Sequence, residues 1–314
     1  WDGVSWKEVQ TGGPATAAAV FSPNPDKVYV VGYRGMIQKR SGGQWASESS
    51  GVHRWTRAVA PVSESDIITV ECEGIRRKSG SPQTWQTLHP APDYSCLEDV
   101  WITPGAAQIF AVGSGYTVNP HREGLVLRWD GTQWTRTYLP QVQELMGVWG
   151  LDATHVWAVG YGSPDGRQLP HVFFWDGTGW TEMALPGELG GRLQRVWASA
   201  PDDLWVVGDV VLHWDGQFWQ QHFPHQYSGD YQDVWGSGPG NVFLAGSVVA
   251  HWNGAAWSSF LPRGRANAVW GSGPGDVYVV GAHTLHYNGS AWTDVNIETV
   301  SNLWDIAGLK EEDA

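Results

Sequence analysis

The stretch Val269-Trp270-Gly271-Ser272-Gly273-Pro274-Gly275-Asp276-Val277-Tyr278-Val279-Val280-Gly281, continued by His286-Tyr287-Asn288-Gly289-Ser290-Ala291-Trp292, decides how this chain folds. A near copy precedes it, running from Val234-Trp235-Gly236-Ser237-Gly238-Pro239-Gly240-Asn241 to His251-Trp252-Asn253-Gly254-Ala255-Ala256-Trp257. Working outward, the closing Trp recurs as Trp6, Trp45, Trp85, Trp134, Trp180, Trp219, Trp257 and Trp292. The opening aromatic recurs as Phe21, Trp101, Trp149, Trp197, Trp235, Trp270 and Trp304, with Ala60 in a degenerate second copy. Periods of 34 to 49 residues, made of short apolar runs broken by Gly, Asn and Asp, are those of a β-propeller.

Each unit accommodates four antiparallel strands. The first is the Val-Trp segment, the second a run such as Val28–Gly32, Ile109–Gly113, Val156–Gly160 or Leu204–Gly208. The third ends in Trp-Asp-Gly and the fourth carries the final Trp. Gly, Asn and Asp between runs supply the positive φ angles of tight hairpins. The second strands are continuously apolar, as expected when both faces of a sheet are covered by neighbours. Large flat rings fill the wedges between blades, which accounts for most of the 22 Trp.

The expected architecture is all-β, a single domain of four-stranded blades with units at 10–49, 50–88, 89–139, 140–185, 186–223, 224–260 and 261–296. Trp1-Asp2-Gly3-Val4-Ser5-Trp6 reads as the closing half of a unit and Val300–Ile306 as the opening half of one. Joining them gives an eighth blade from 297–314 plus 1–9, a ring of seven being the alternative; most of its second strand and the start of its third are absent, as in a trimmed chain or a defective last blade.

The chain has 314 residues and a formal net charge of −13, which disfavours binding to a nucleic-acid backbone. Its one basic run, Arg76-Arg77-Lys78, reads as a solvated edge on a third strand. No apolar stretch is long enough to span a bilayer. Cys72 and Cys96, the only cysteines, fall at the boundary of two adjacent blades, as a disulfide or as two buried thiols. Low Cys and Lys with high Trp and Gly point to an exported bacterial protein, secreted, periplasmic or on the cell surface.

The Trp-Asp-Gly-x-x-Trp ending, with Val-Trp-Gly-Ser-Gly-Pro-x-Asp-Val, resembles the repeats of exported bacterial propellers, and more distantly the Asp-box repeats of sialidase-type propellers. In the Asp box the Asp stands two residues before Gly, whereas Asp130, Asp176 and Asp215 directly precede theirs. The resemblance implies the fold and a structural turn, and carries over no catalytic residue. The Arg triad and Tyr/Glu pair of sialidases have no matched positions, and no P-loop, HExxH, nucleophile elbow or EF-hand loop is present. No catalytic residue, cofactor or metal site is expected.

Function on such a ring belongs to loops. Two connections between second and third strands are expanded, 114–124 and 161–171. Strand direction places them on the same face as the linkers between blades, including 89–94 and 222–231. Tyr116, His121, Arg122, Tyr161, Arg167 and His171 are expected to form one wall of a groove, and His222, Tyr227 and Tyr231 the other. Aromatic faces with Arg and His edges suit a peptide or a sugar. The leading expectation is a non-enzymatic recognition module for a protein or glycan. The alternatives are a polysaccharide hydrolase or lyase, with Glu123, Asp165, Glu188 and Asp230 as candidate carboxylates, and a structural subunit of an extracellular assembly. His213, His251 and His286 recur before the third-strand aromatic and read as structural, while Asp99, Arg195, Asp233, Asn267 and Asn302 stand at the hub and read as holding channel water.

Overall fold

The computed structural model describes residues 56–295 except 64–65, 73, 81–83, 91–94, 117–121, 164 and 225–229, the backbone of four strands between 17 and 49, and residues 304 and 306. The described residues form seven four-stranded sheets. The first holds β1 (Ala17–Asn24), β2 (Lys27–Gly32), β3 (Met36–Ser41) and β4 (Gln44–Ser49). The second holds β5 (Thr56–Ser63), β6 (Asp66–Glu71), β7 (Gly74–Ser79) and β8 (Thr84–Pro90). The third holds β9 (Cys96–Ile102), β10 (Ile109–Tyr116), β11 (Arg122–Trp129) and β12 (Trp134–Leu139). The fourth holds β13 (Glu144–Asp152), β14 (His155–Tyr161), β15 (Pro170–Trp175) and β16 (Trp180–Glu182). The fifth holds β17 (Leu193–Ala200), β18 (Asp203–Gly208), β19 (Val211–Trp214) and β20 (Trp219–His222). The sixth holds β21 (Tyr231–Gly238), β22 (Asn241–Gly246), β23 (Val249–Trp252) and β24 (Trp257–Phe260). The seventh holds β25 (Ala266–Gly273), β26 (Asp276–Gly281), β27 (Thr284–Tyr287) and β28 (Trp292–Val295).

Every sheet runs in chain order, strand beside consecutive strand, and the first strands pack on one another from β1 through β5, β9, β13, β17 and β21 to β25. This is a propeller with its first strands at the hub. The eighth blade expected from 297–314 plus 1–9 lies outside the described residues, save Trp304 and Ile306.

Consecutive sheets interlock through the repeat. A Cβ on Gly236 would stand 2.5 Å from the Trp197 ring, one on Gly271 2.6 Å from Trp235, and one on Gly150 2.7 Å from Trp101. The opening Trp of one sheet therefore packs against the Gly of Val-Trp-Gly in the next, which is why that position needs Gly. Further out, Phe110, Trp205 and Phe243 of the second strands meet the aromatic pairs Trp175/Trp180, Trp252/Trp257 and Tyr287/Trp292 of the following sheets, at centroid distances of 5.4 to 6.2 Å. Phe110, Trp205 and Phe243 are fully buried, and each such side chain stabilises by roughly 1.5–3 kcal/mol. Trp235 is buried and Trp270 half-buried, as packing residues should be.

The ends of the sheets opposite the expanded loops are closed by one device. Asp130, Asp176, Asp215, Asn253 and Asn288 each accept, on Oδ1, the amide protons of residues two and three further on. The Gly that follows sits at φ between 88° and 98°, where a Cβ would be strained. The Asp of the motif is thus a turn clasp. Asp130 and Asp176, held by these amides and a Thr hydroxyl, are pulled down to about 2.

A second device joins the start of the second strand to the third in five of the sheets. His213, His251 and His286 bond Asp203, Asn241 and Asp276 at 2.6 to 2.7 Å and stack on Trp205, Phe243 and Tyr278. Arg77 on Asp66 and Arg128 on Gln108 take the same places in the second and third sheets. The recurring His are structural. The basic run is not a solvated edge: Arg77 is paired with Asp66 and Lys78 is buried.

Candidate ligand-binding site at the loop end

Register places the ends of the second strands, the starts of the third and the starts of the first at one end of the ring, as Tyr116 opposite Arg122 and Tyr161 opposite Glu144 illustrate. At this end each first strand of the second to seventh sheets carries a one-residue bulge, skipping Arg57, Glu98, Met146, Gln194, Gln232 and Asn267. A bulge leaves its residue out of the ladder and re-aims the side chain, here around the channel mouth. Arg57 meets Glu98 at 3.6 Å. Burial pushes the Glu98 carboxyl up, against the pull of Arg57, Arg195 and Arg122.

Below the bulges the hub acids act as straps. Asp99 bonds the Val100 amide with one oxygen and the Val148 amide of the next sheet with the other, and Asp233 joins Val234 to Val269 in the same way. Arg195 donates to the Met146 and Gln194 carbonyls. These three hold sheet to sheet, because strand spacing brings their polar ends to backbone groups of the neighbouring sheet. Asn302 lies outside the described residues.

The mouth centres on Glu144. Its Oε2 accepts from the Tyr161 hydroxyl at 2.8 Å, and its Oε1 accepts from Arg122 Nη2 at 3.0 Å and Ser114 Oγ at 3.1 Å. Arg122 also donates to Ser114 Oγ. Arg192 stands over the Tyr161 ring, Cζ 5.7 Å from its centroid, and Tyr116 is exposed at the rim. Burial and the Glu144 charge push the Tyr161 phenol up to about 12. A phenol held protonated is a hydrogen-bond donor, and Tyr161 donates to the Glu144 carboxylate.

Of the groove expected from the sequence, Tyr116, Arg122 and Tyr161 do share one end of adjacent sheets, and Arg122 and Tyr161 meet on Glu144. The loop 114–124 is largely strand, since Ser114–Tyr116 pair with Arg122–Gly124. His171 is not a wall residue: it bonds Glu182 at 2.6 Å and the Gly162 carbonyl at 2.8 Å, turned toward the fourth strand. Arg167 lies at an exposed loop tip, paired with Asp165 at 2.7 Å. His222 and Tyr231 do not form a second wall. Tyr231 is the first residue of β21 and lies in the core, because the linker ends before it. His222 packs against Trp205 and Trp252 and accepts from Trp257 Nε1 at 3.0 Å; burial lowers its pKa to about 4. The recess beside it, lined by Asp209, Val211, Phe223 and Tyr231 among others, holds about 40 Å³, room for water only. His121 and Tyr227 lie outside the described residues.

The four carboxylates weighed for hydrolysis are dispersed. Glu123 is buried in β11, Asp165 is tied to Ser163 and Arg167, Asp230 pairs with Arg265 at 2.6 Å, and Glu188 is on the surface. The residues that sequence reading missed are Glu144, Ser114, Arg192, Arg57 and Glu98. The available signal was a charged residue five before the opening Trp, present as Glu144, Arg192, Asp230 and Arg265. Cys72, at the end of β6, and Cys96, at the start of β9, form a disulfide between the second and third sheets at this same end.

No protein-family model and no curated protein matches the chain. Solved structures match along nearly its whole length. The C-terminal WD40 domain of Sif2 aligns at TM-score 0.66 and 14% identity, covering 93% of this chain and 90% of that one. YCF48 bound to D1 peptide aligns at 0.61 and 15%, covering 93% and 96%. The WD40 propeller domain of Doa1 aligns at 0.59 and 10%, covering 88% and 91%. The protein has the β-propeller fold.

Proposed function

We propose that the protein is a non-enzymatic recognition module that binds a protein partner, through an extended peptide segment, at the loop end of its ring. The observation that carries this reading is the Glu144 mouth: half-exposed Arg122 and Arg192 with Tyr161 and Tyr116, gathered where the bulges aim side chains at the channel. Aromatic faces and arginine forks are the groups that anchor peptides. The D1 peptide on YCF48 supports the reading by showing that a propeller of similar shape takes one. A glycan on the same face is the finer alternative, and a place in an extracellular assembly is compatible with both. The disulfide supports an oxidising location, secreted or at the surface of a bacterial cell.

The test is to capture partners from the source cells with the full chain, then measure the affinity of the captured partner for variants. Tyr116→Ala with Arg192→Ala should weaken binding at least tenfold, while Phe218→Ala at the turn end leaves it unchanged. Loss on Phe218→Ala with binding intact in the mouth variant would place the partner at the wrong end. Binding on a glycan array, abolished by the mouth variant, would replace protein by sugar.

A further inference from the structure

Four strands converge on one carboxylate at the mouth. Ser114 comes from β10, Arg122 from β11, Tyr161 from β14, and Glu144 is the first residue of β13. Both oxygens of Glu144 are occupied, one by the phenol and the other by guanidinium and hydroxyl, and Arg122 braces Ser114 as well. Donors converging on both oxygens of one carboxylate, with a guanidinium among them, make a planar carboxylate the species that fits. The other ion pairs at this end are simpler: Arg265 meets Asp230 Oδ1 at 2.6 Å and Arg57 meets Glu98 at 3.6 Å.

The filling group differs from the seat. The seat stands on paired strands of two sheets, with Ser114 fully buried. Glu144 precedes the bulge at Met146, on a long side chain with rotamers to spare. Arg122 remains 39% exposed, so the seat is reachable from the mouth.

We infer that Ser114, Arg122 and Tyr161 form a carboxylate seat, which Glu144 fills in the unliganded protein and which a carboxylate of a bound peptide takes over. This rests on the peptide-recognition reading and specifies its ligand: a chain terminus or an acidic side chain. The exchange of one carboxylate for another leaves no buried donor unpaired, which would otherwise oppose opening. The displaced Glu144 returns to water, and Arg192, 3.9 Å from Asp209 and beside Tyr161, is the cation that offsets the second negative charge in the mouth. Glu144 acts as a pseudo-ligand that sets a threshold: only a carboxylate carried by further contacts at the rim displaces it.

The experiment empties the seat and refills it. Melting temperatures of the full chain are compared in sodium acetate and in sodium chloride of equal ionic strength. Acetate at about 100 mM should raise the melting temperature of Glu144→Ala by about 1–2 °C over chloride. The wild type, already filled, and the Arg122→Ala/Glu144→Ala double variant should not respond. An equal response from the double variant, or none from Glu144→Ala, overturns the seat. If Glu144→Ala does not fold, Glu144→Gln is titrated with N-acetyl-alanine and its amide, and with N-acetyl-aspartate α-amide, which bears only the side-chain carboxylate, and its diamide. At least tenfold tighter binding of a carboxylate than of its amide supports the seat and tells terminus from side chain; equal binding overturns it. Partner capture that survives Arg122→Ala sinks the seat and spares the recognition face, whereas acetate rescue without partner capture does the reverse.

Discussion

At the turn end of the ring the same contacts recur from sheet to sheet, while at the loop end hardly any contact is made twice. Five turns share one Asp or Asn clasp, and five sheets share one pairing between the start of the second strand and the third. At the other end, the bulge position holds Arg57, Glu98, Met146, Gln194, Gln232 and Asn267, with no residue type repeated in neighbouring sheets except Gln. Repetition records what a wedge-shaped blade must do to pack. Its absence marks where the backbone geometry is kept, by the bulge, and the side chain is left open to chemistry.

The comparison can be broken most sharply in the repeated part. Trp205 is fully buried, stacked on His213 and edge-on to Trp257 of the next sheet. Trp205→Ala should cost about 3–5 kcal/mol in denaturant unfolding. A loss under 1 kcal/mol would mean that the repeat aromatics do not carry the interlock.

Next in size is the Trp-on-Gly contact. Gly236→Ala should cost about 1–3 kcal/mol, because its Cβ would stand 2.5 Å from the Trp197 ring. Gly238→Ala, two residues on and with nothing within 4 Å of a Cβ, is the matched control and should be near neutral. Equal effects would show that glycine serves backbone freedom there rather than close approach.

The smallest expected effect separates the buried histidines from the turn carboxylates by pH. Burial lowers His222 from 6.5 to about 4, so the unfolded chain takes up a proton that the folded one refuses. Stability should therefore fall as pH drops from 6.5 toward 4, with His251, lowered by burial as well, acting in the same direction. The turn carboxylates Asp130 and Asp176 lose their contribution only further down, between 3.8 and about 2. Urea midpoints measured across pH 7 to 2 should show both windows, and His222→Gln should flatten the first without touching the second. A first window unchanged in His222→Gln would remove His222 as its source.

How much was legible from residues follows the same division. Val-Trp-Gly, the apolar second strand and Trp-Asp-Gly announced strands, hairpins and inter-blade rings, because those demands are local and recur. His213, His251 and His286 were readable as structural for the same reason. His222 and Tyr231 were misread as surface: their sequence surroundings are polar and turn-rich, yet β20 ends and β21 begins on them, and strand ends in a propeller face the next blade. Tyr116, Arg122 and Tyr161 were found by counting what the repeat leaves over. Glu144 was not, since it stands at a strand start like any other charged residue. Only the stagger of β10, β11, β13 and β14 brings Ser114, Arg122 and Tyr161 onto it across 47 residues of chain, from 114 to 161.

The sequence by itself determined the ring: period, strand polarity, turn chemistry and the aromatic wedges all follow from residue types at fixed offsets, and these act within one blade or between identical neighbours. The tertiary structure alone decided which charges meet. Contacts such as Arg57 with Glu98 and Arg122 with Glu144 join different blades through unlike residues, and their pairing depends on the angle and offset between sheets that no repeat encodes.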